Sequence, residues 1–414
     1  MNAKEILNRI WRSAVAKNYS HMTATQIAAM AISVCVYPYV IRRLGVEAYG
    51  LYVFGLSITS YFLEFTAFGL KFPSVKATVE LRDDTDGTNR TVMCVYIIKG
   101  LLALLSCAVF CALTACIPLL RTNALLFGCI FTQILGEVLM PNWFYQGRQK
   151  MQIITYMSVG FRLLTVPFIF IFVKSPADVV TFAVINTAGI VAAAIGAMVI
   201  MVRSEGVRPV RVRADDVTSM VKDALPFFGS NVMSTVKTET VTLLIGSFLG
   251  MKDVAIYDLA NKMVTIPRTI TQSINQALFP AVLADQSRKV KKIIRYEYAI
   301  GFTIIALLAA GGYWAALLLG GREMVGAYPI SLILSVTILT WLVVGAYIAF
   351  VFVPQRRYYL VTRNQLVALL SFLAIGIPAV AVFRNVYALT AAFALSGVCE
   401  IIYCIYITRK QRLL

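Results

Sequence analysis

Residues Tyr328–Val353 read YPISLILSVTILTWLVVGAYIAFVFV and hold no charged side chain. A helix rises about 1.5 Å per residue, so some twenty such positions cross the ~30 Å hydrocarbon layer of a bilayer. Lipid offers backbone amides no hydrogen-bond partner, which leaves helices and closed barrels as the spanning options. This stretch lacks the alternation of polar and apolar residues that barrel strands show, so it reads as a helix. Leu101–Leu120, Ala177–Val202 and Leu366–Phe383 are nearly as free of charge and read the same way.

The composition of the 414-residue chain agrees. It is 59% hydrophobic and 14% charged, whereas a soluble domain is about a quarter charged. The net charge of +18 does not imply nucleic-acid binding, because no basic soluble domain exists to carry it. The eight cysteines mostly lie in apolar stretches, Cys107 and Cys111 at helical spacing, and are expected to pack as small hydrophobes. The segment 1–20 combines Lys4, Arg9, Arg12 and Lys17 with an apolar stripe of Ile6, Leu7, Ile10, Trp11 and Ala14. That pattern predicts a helix on the membrane surface rather than a cleavable signal.

Charged and turn-rich breaks place spans near 21–41, 49–70, 91–117, 124–146, 152–173, 178–202, 224–249, 254–283, 293–319, 328–353, 361–383 and 385–408. The fold class expected is an all-α membrane protein of about twelve transmembrane helices. The two tails and alternate loops carry 26 Lys and Arg, against 7 in the other loops. That bias predicts both termini in the cytoplasm.

The chain also echoes itself. Leu44-Gly45-Val46-Glu47-Ala48-Tyr49-Gly50-Leu51-Tyr52 is answered by Leu249-Gly250-Met251-Lys252-Asp253-Val254-Ala255-Ile256-Tyr257, and Phe72-Pro73 by Phe279-Pro280. Offsets of 205 and 207 predict two parallel six-helix lobes around a central cavity. The expected division is a surface segment 1–20, a lobe 21–202, a cytoplasmic linker 203–222, a lobe 223–408 and a cytoplasmic tail 409–414.

Ionisable residues inside spans are costly and mark interiors or wet cavities. On the eighth span Asp258, Asn261, Lys262, Thr265, Arg268, Gln272 and Asn275 recur every three or four residues, one polar stripe that lipid cannot cover. The seventh adds Lys237, Glu239 and Thr242. Ser and Thr there can simply bond neighbouring helices, but Lys237 and Arg268 point to a cavity for an anion such as phosphate. Lys99 and Arg162 either line that cavity or snorkel to the surface. Glu239, Asp258 and Glu64 are candidates for coupling to an ion. Asp258 and Lys262 can equally form a simple i, i+4 pair, and Glu137 and Glu400 can be partners of basic residues on other helices.

No phosphate-binding Gly-rich loop, nucleophile elbow or metalloprotease motif occurs. His21 is the single histidine. No catalytic residue, metal site or cofactor is expected, and the enzyme reading, a membrane polymerase or ligase, is disfavoured.

Tyr37-Pro38-Tyr39-Val40-Ile41-Arg42-Arg43-Leu44-Gly45-Val46-Glu47-Ala48-Tyr49-Gly50-Leu51-Tyr52, with Ala260-Asn261-Lys262-Met263-Val264 and Phe279-Pro280, resembles the signature of bacterial O-antigen type polysaccharide flippases. These belong to the multidrug/oligosaccharidyl-lipid/polysaccharide exporter superfamily. The resemblance runs over the full length. It implies a V-shaped pair of lobes in the cytoplasmic membrane and a cargo of undecaprenyl-pyrophosphate-linked oligosaccharide, flipped to the outer leaflet for surface polysaccharide such as lipopolysaccharide. It implies cationic cavity residues for that cargo, matched here by position to Lys237 and Arg268. Membrane lipid, polysaccharide polymerase and chain-length proteins are the partners expected, and no nucleic acid. A drug or cation antiporter of the same superfamily is the alternative.

Overall fold

The computed structural model describes the backbone of residues 14–283, 289–352, 354–355, 357–411 and 413. The side chains of 14–20, 22, 270, 272–283, 289–292 and 358 lie outside the described residues. So do residues 1–13, where most of the expected surface helix falls.

All regular structure among the described residues is helical. In chain order the α-helices are α1 (Ala14–Ala67), α2 (Lys71–Glu80), α3 (Thr85–Cys116), α4 (Pro118–Thr122), α5 (Ala124–Phe131), α6 (Gln133–Leu139), α7 (Asn142–Gly147), α8 (Met151–Phe172), α9 (Val179–Ser204), α10 (Ala214–Phe248), α11 (Met251–Leu283), α12 (Lys289–Gly320), α13 (Ala327–Tyr347), α14 (Tyr358–Phe383) and α15 (Val386–Lys410).

Nine stretches among the described residues are long and apolar enough to span a bilayer. The first, Thr23–Glu80, contains two spans in one, because α1 breaks at Gly45. The two long helices missing from the nine are α10 and α11, with 35 and 33 residues. They have the length to cross but carry the polar stripe read from the sequence, which lowers their hydropathy. Counting both gives the twelve expected, and the chain is an all-α membrane protein.

The echoed motifs share a backbone device. Gly45 (φ 76°) and Gly250 (φ 116°) both sit in the left-handed region, which glycine occupies without the Cβ penalty of other residues. Each turns the chain between two long helical segments.

The chain forms two compact units. The described part of Met1–Val36 joins Ile58–Val232, and Tyr37–Ser57 joins Met233–Leu414. The segment carrying the first motif therefore packs with the second unit, where it meets the second motif. A Cβ on Gly50 would lie 1.8 Å from the Met251 carbonyl oxygen, so here backbone touches backbone. Phe54 fills the space beside Gly246, where an added Cβ would come within 2.3 Å of its ring.

The core of the first unit gathers Leu70, Val95, Phe144, Tyr145, Ala197 and Ala224. Phe68 stacks on Phe228 there, with ring centroids 4.5 Å apart. The core of the second unit gathers Val343, Ala346, Phe352, Leu360 and Cys404. The expectation of buried cysteines holds for Cys94 and Cys404, but Cys35, Cys107, Cys111 and Cys116 are exposed. Helices in a bilayer can present apolar thiols outward, because lipid solvates them as a protein core does.

Candidate functional site

In the first unit the critical residue is Pro141. It has no N–H, so the Glu137 carbonyl near the end of α6 loses the donor a continuing helix would supply. Lys99 on α3 fills the vacancy. Its Nζ donates to the Glu137 carbonyl at 2.8 Å and to Oε1 of the same residue at 2.7 Å. Lys99 is 5% exposed, so the ammonium is shut away from water, while the Glu137 side chain is 32% exposed and stays partly open.

Beside this pair lies a cavity of about 430 Å³, within the size range of ligand sites. Glu64, Lys99, Glu137 and Asn231 line it together with Lys71, Trp143, Gln26, Asn142 and Gln146. Asn231 hydrogen-bonds the Glu64 carboxylate, while Glu64 Oε1 is buried with no partner. The sequence marked Lys99 and Glu64, and the fold brings them to this one cavity. Arg162, also marked, is exposed on α8 and does not line it.

In the second unit the cations are largely engaged. Lys237 on α10 forms an ion pair with Glu400 on α15. The other carboxylate oxygen accepts from Asn364 Nδ2 at 3.3 Å, and Lys237 lies 5.3 Å from the centre of the Phe393 ring. The two charged side chains are 12% and 13% exposed. The sequence expected Lys237 as a free ammonium awaiting phosphate. In the structure a carboxylate from another helix pairs with it.

Lys262 pairs with Asp258 one turn away. The Tyr49 hydroxyl donates to Asp258 Oδ2 at 2.8 Å and accepts from Lys262 Nζ at 3.1 Å. Asp258, marked for ion coupling, is thus held in a three-residue knot where the two motif copies meet. Asn261 accepts a long 3.5 Å hydrogen bond from Thr265. Glu239 is half-buried and makes no ion pair among the described residues. The side chains of Gln272 and Asn275 lie outside the described residues.

Arg268 differs from these lysines. Its guanidinium lies 5.1 Å from the centre of the Trp341 ring, and no carboxylate pairs with it among the described residues. A stacked guanidinium keeps its in-plane N–H donors available.

The pairing of Lys99 with Glu137 and of Lys237 with Glu400 was open to sequence reading only as a possibility. The roles of Trp341, Asn364 and Trp143 carried no signal there. Tyr49 stood inside the repeated motif, which marked its neighbourhood but not its bond to Asp258. Among the described residues no cluster of His, Cys, Asp and Glu could hold a metal ion.

Residues 15–286 match the family described as "Polysaccharide biosynthesis protein". Two curated proteins named "Putative O-antigen transporter" are similar. The one from Escherichia coli (strain K12) is 22% identical over 308 residues, 74% of this chain and 74% of its own length. The one from Shigella dysenteriae is 25% identical over 213 residues, 50% of this chain and 52% of its own. Among solved structures, an inward-facing multidrug resistance MATE family transporter of the MOP superfamily superposes with a TM-score of 0.71 at 12% identity, covering 95% of this chain and 98% of that one. The lipid II flippase MurJ in an inward closed conformation gives 0.69 at 11% identity, covering 94% and 87%. At such identities these two establish the fold and nothing finer.

Proposed function

The chain belongs to the polysaccharide biosynthesis protein family, and from that premise we propose that it is a non-enzymatic flippase. Its cargo is an undecaprenyl-pyrophosphate-linked oligosaccharide, carried from the cytoplasmic to the outer leaflet of a bacterial cytoplasmic membrane by alternating access. The observation that carries the reading is the mixed-charge cavity of about 430 Å³ lined by residues of the first unit. Lipid-facing helices have no use for Glu64, Lys99 and Glu137 inside spans, whereas a polar headgroup crossing the bilayer needs polar groups there.

The names of the curated relatives favour a glycan-lipid cargo over a drug. In the second unit Arg268 is the residue proposed to meet the pyrophosphate, since it is charged and unpaired by carboxylate. Lys237 and Lys262 are assigned structural roles. The excess of Lys and Arg in alternate loops supports placing both termini in the cytoplasm. The exported unit then passes to the polymerase and chain-length proteins of polysaccharide assembly.

The test is a deletion strain. The lipid-linked oligosaccharide should accumulate on the inner leaflet and return to normal when the gene is restored, with drug susceptibility unchanged. Normal surface glycan in the deletion strain, or altered drug resistance alone, would contradict the reading.

A further inference from the structure

We infer that the cavity of the first unit is a sugar subsite, which reads a sugar of the cargo's glycan. The inference rests on the glycan-lipid cargo proposed above and goes beyond it in saying which part of that cargo this cavity holds.

The charges on its wall argue against phosphate. Lys99 is neutralised by Glu137 at 2.7 Å, and its remaining strong bond goes to the Glu137 carbonyl. Glu64 stands on the same wall with Oε1 buried and unpartnered. A pyrophosphate entering here would meet that carboxylate and gain Lys71 alone, an exposed lysine. Like charges brought together at low dielectric repel strongly.

The same wall suits a neutral polyol. The Glu64 side chain is half-buried and lines the cavity; its Oε1 is turned inward without a donor, and a rotation of the carboxylate toward the cavity lets a sugar hydroxyl supply one. The amides of Gln26, Asn142 and Gln146 line the cavity and are uncommitted among the described residues. Each offers both donors and an acceptor, as hydroxyls on adjacent ring carbons require. Trp143 backs the lining from the core of the unit, 3% exposed, and holds Asn142 and Gln146 on the wall beside it. A few placed polar groups against a packed apolar backing are the usual composition of a small-molecule site. Glu64 then works as the acceptor that orients the sugar, with Asn231 holding its carboxylate in place.

The test uses the purified full-length protein in nanodiscs. Four probes are titrated: farnesyl pyrophosphate, and the same lipid carrying one glucose, one galactose or one N-acetylglucosamine. The wild type should bind at least one sugar-bearing lipid about tenfold more tightly than the bare lipid, the size of one charge-assisted hydrogen bond. Glu64→Gln, Glu64→Ala and Asn231→Ala should bring that ratio close to one. Affinity for the bare lipid should stay level or rise, because a negative charge leaves the wall. No preference for any sugar in the wild type, or an unchanged ratio in all three variants, overturns the subsite and leaves the flippase reading standing. Failure of every lipid pyrophosphate to bind overturns both.

Discussion

Replacing Lys237 with Ala removes one half of a pair whose members are 12% and 13% exposed. Glu400 then keeps only the 3.3 Å hydrogen bond from Asn364. Breaking a buried pair from one side typically costs about 3–5 kcal/mol, because the remaining charge has neither partner nor water. That corresponds to a loss of roughly a hundredfold to a few thousandfold in the folding equilibrium. The double variant Lys237→Met/Glu400→Leu removes both charges, and apolar replacement of a buried pair is often neutral. The assay is thermal unfolding in detergent alongside complementation of glycan export in a deletion strain. Lys237→Ala should unfold at clearly lower temperature, and the double variant should regain both stability and export. A double variant that is stable as wild type yet dead in export refutes the structural assignment, because Lys237 would then touch cargo. A harmless Lys237→Ala refutes the buried pair itself.

Three more predictions follow from particular contacts. Arg268→Ala should lower lipid-pyrophosphate affinity about tenfold to a hundredfold, with Arg268→Lys recovering part of it, since charge survives but the planar fork does not; equal affinity in all three proteins, measured by equilibrium binding, removes Arg268 from the site. Gly50→Ala places a Cβ 1.8 Å from the Met251 carbonyl and should cost about 1–3 kcal/mol of overpacking, seen as a lowered unfolding temperature; no shift would mean the motif copies do not pack as described. Lys99→Met takes the donor from the Glu137 carbonyl and the partner from its carboxylate and should destabilise more than Glu137→Gln, which keeps an acceptor for the ammonium; the reverse order in unfolding temperatures contradicts the Pro141 argument.

Much of the fold was legible because a bilayer imposes one strong rule on sequence. Stretches such as Tyr328–Val353 have no alternative to a helix. The turns at Gly45 and Gly250 were visible as an echo, although the positive φ that requires glycine appears only in the backbone. The site was less legible. Periodicity places Lys237, Glu239 and Arg268 on helix faces, but it says nothing of what another helix brings opposite. Glu400 lies 163 residues beyond Lys237, and no local pattern connects them. Glu64 and Lys99 were noticed as charges in spans, yet the cavity that gives them meaning also needs Asn142, Trp143 and Gln146. Those three polar and aromatic residues follow the break at Pro141 and raise no hydropathy signal of their own. Tyr37–Ser57 belongs by contact to the second unit, which a division drawn at the linker does not anticipate, because sequence order alone does not show that the two motif copies touch.

This chain is proposed to move a glycan-bearing lipid pyrophosphate across a bilayer. Purified protein in sealed liposomes carrying a labelled undecaprenyl-pyrophosphate oligosaccharide measures it directly, with glycan exposure followed by an enzyme that cannot cross the membrane. The account predicts that the protected fraction becomes accessible only when the protein is present, and more slowly with Arg268→Ala. Glycan that remains protected at every protein density, in vesicles where the protein is folded and correctly inserted, would contradict it.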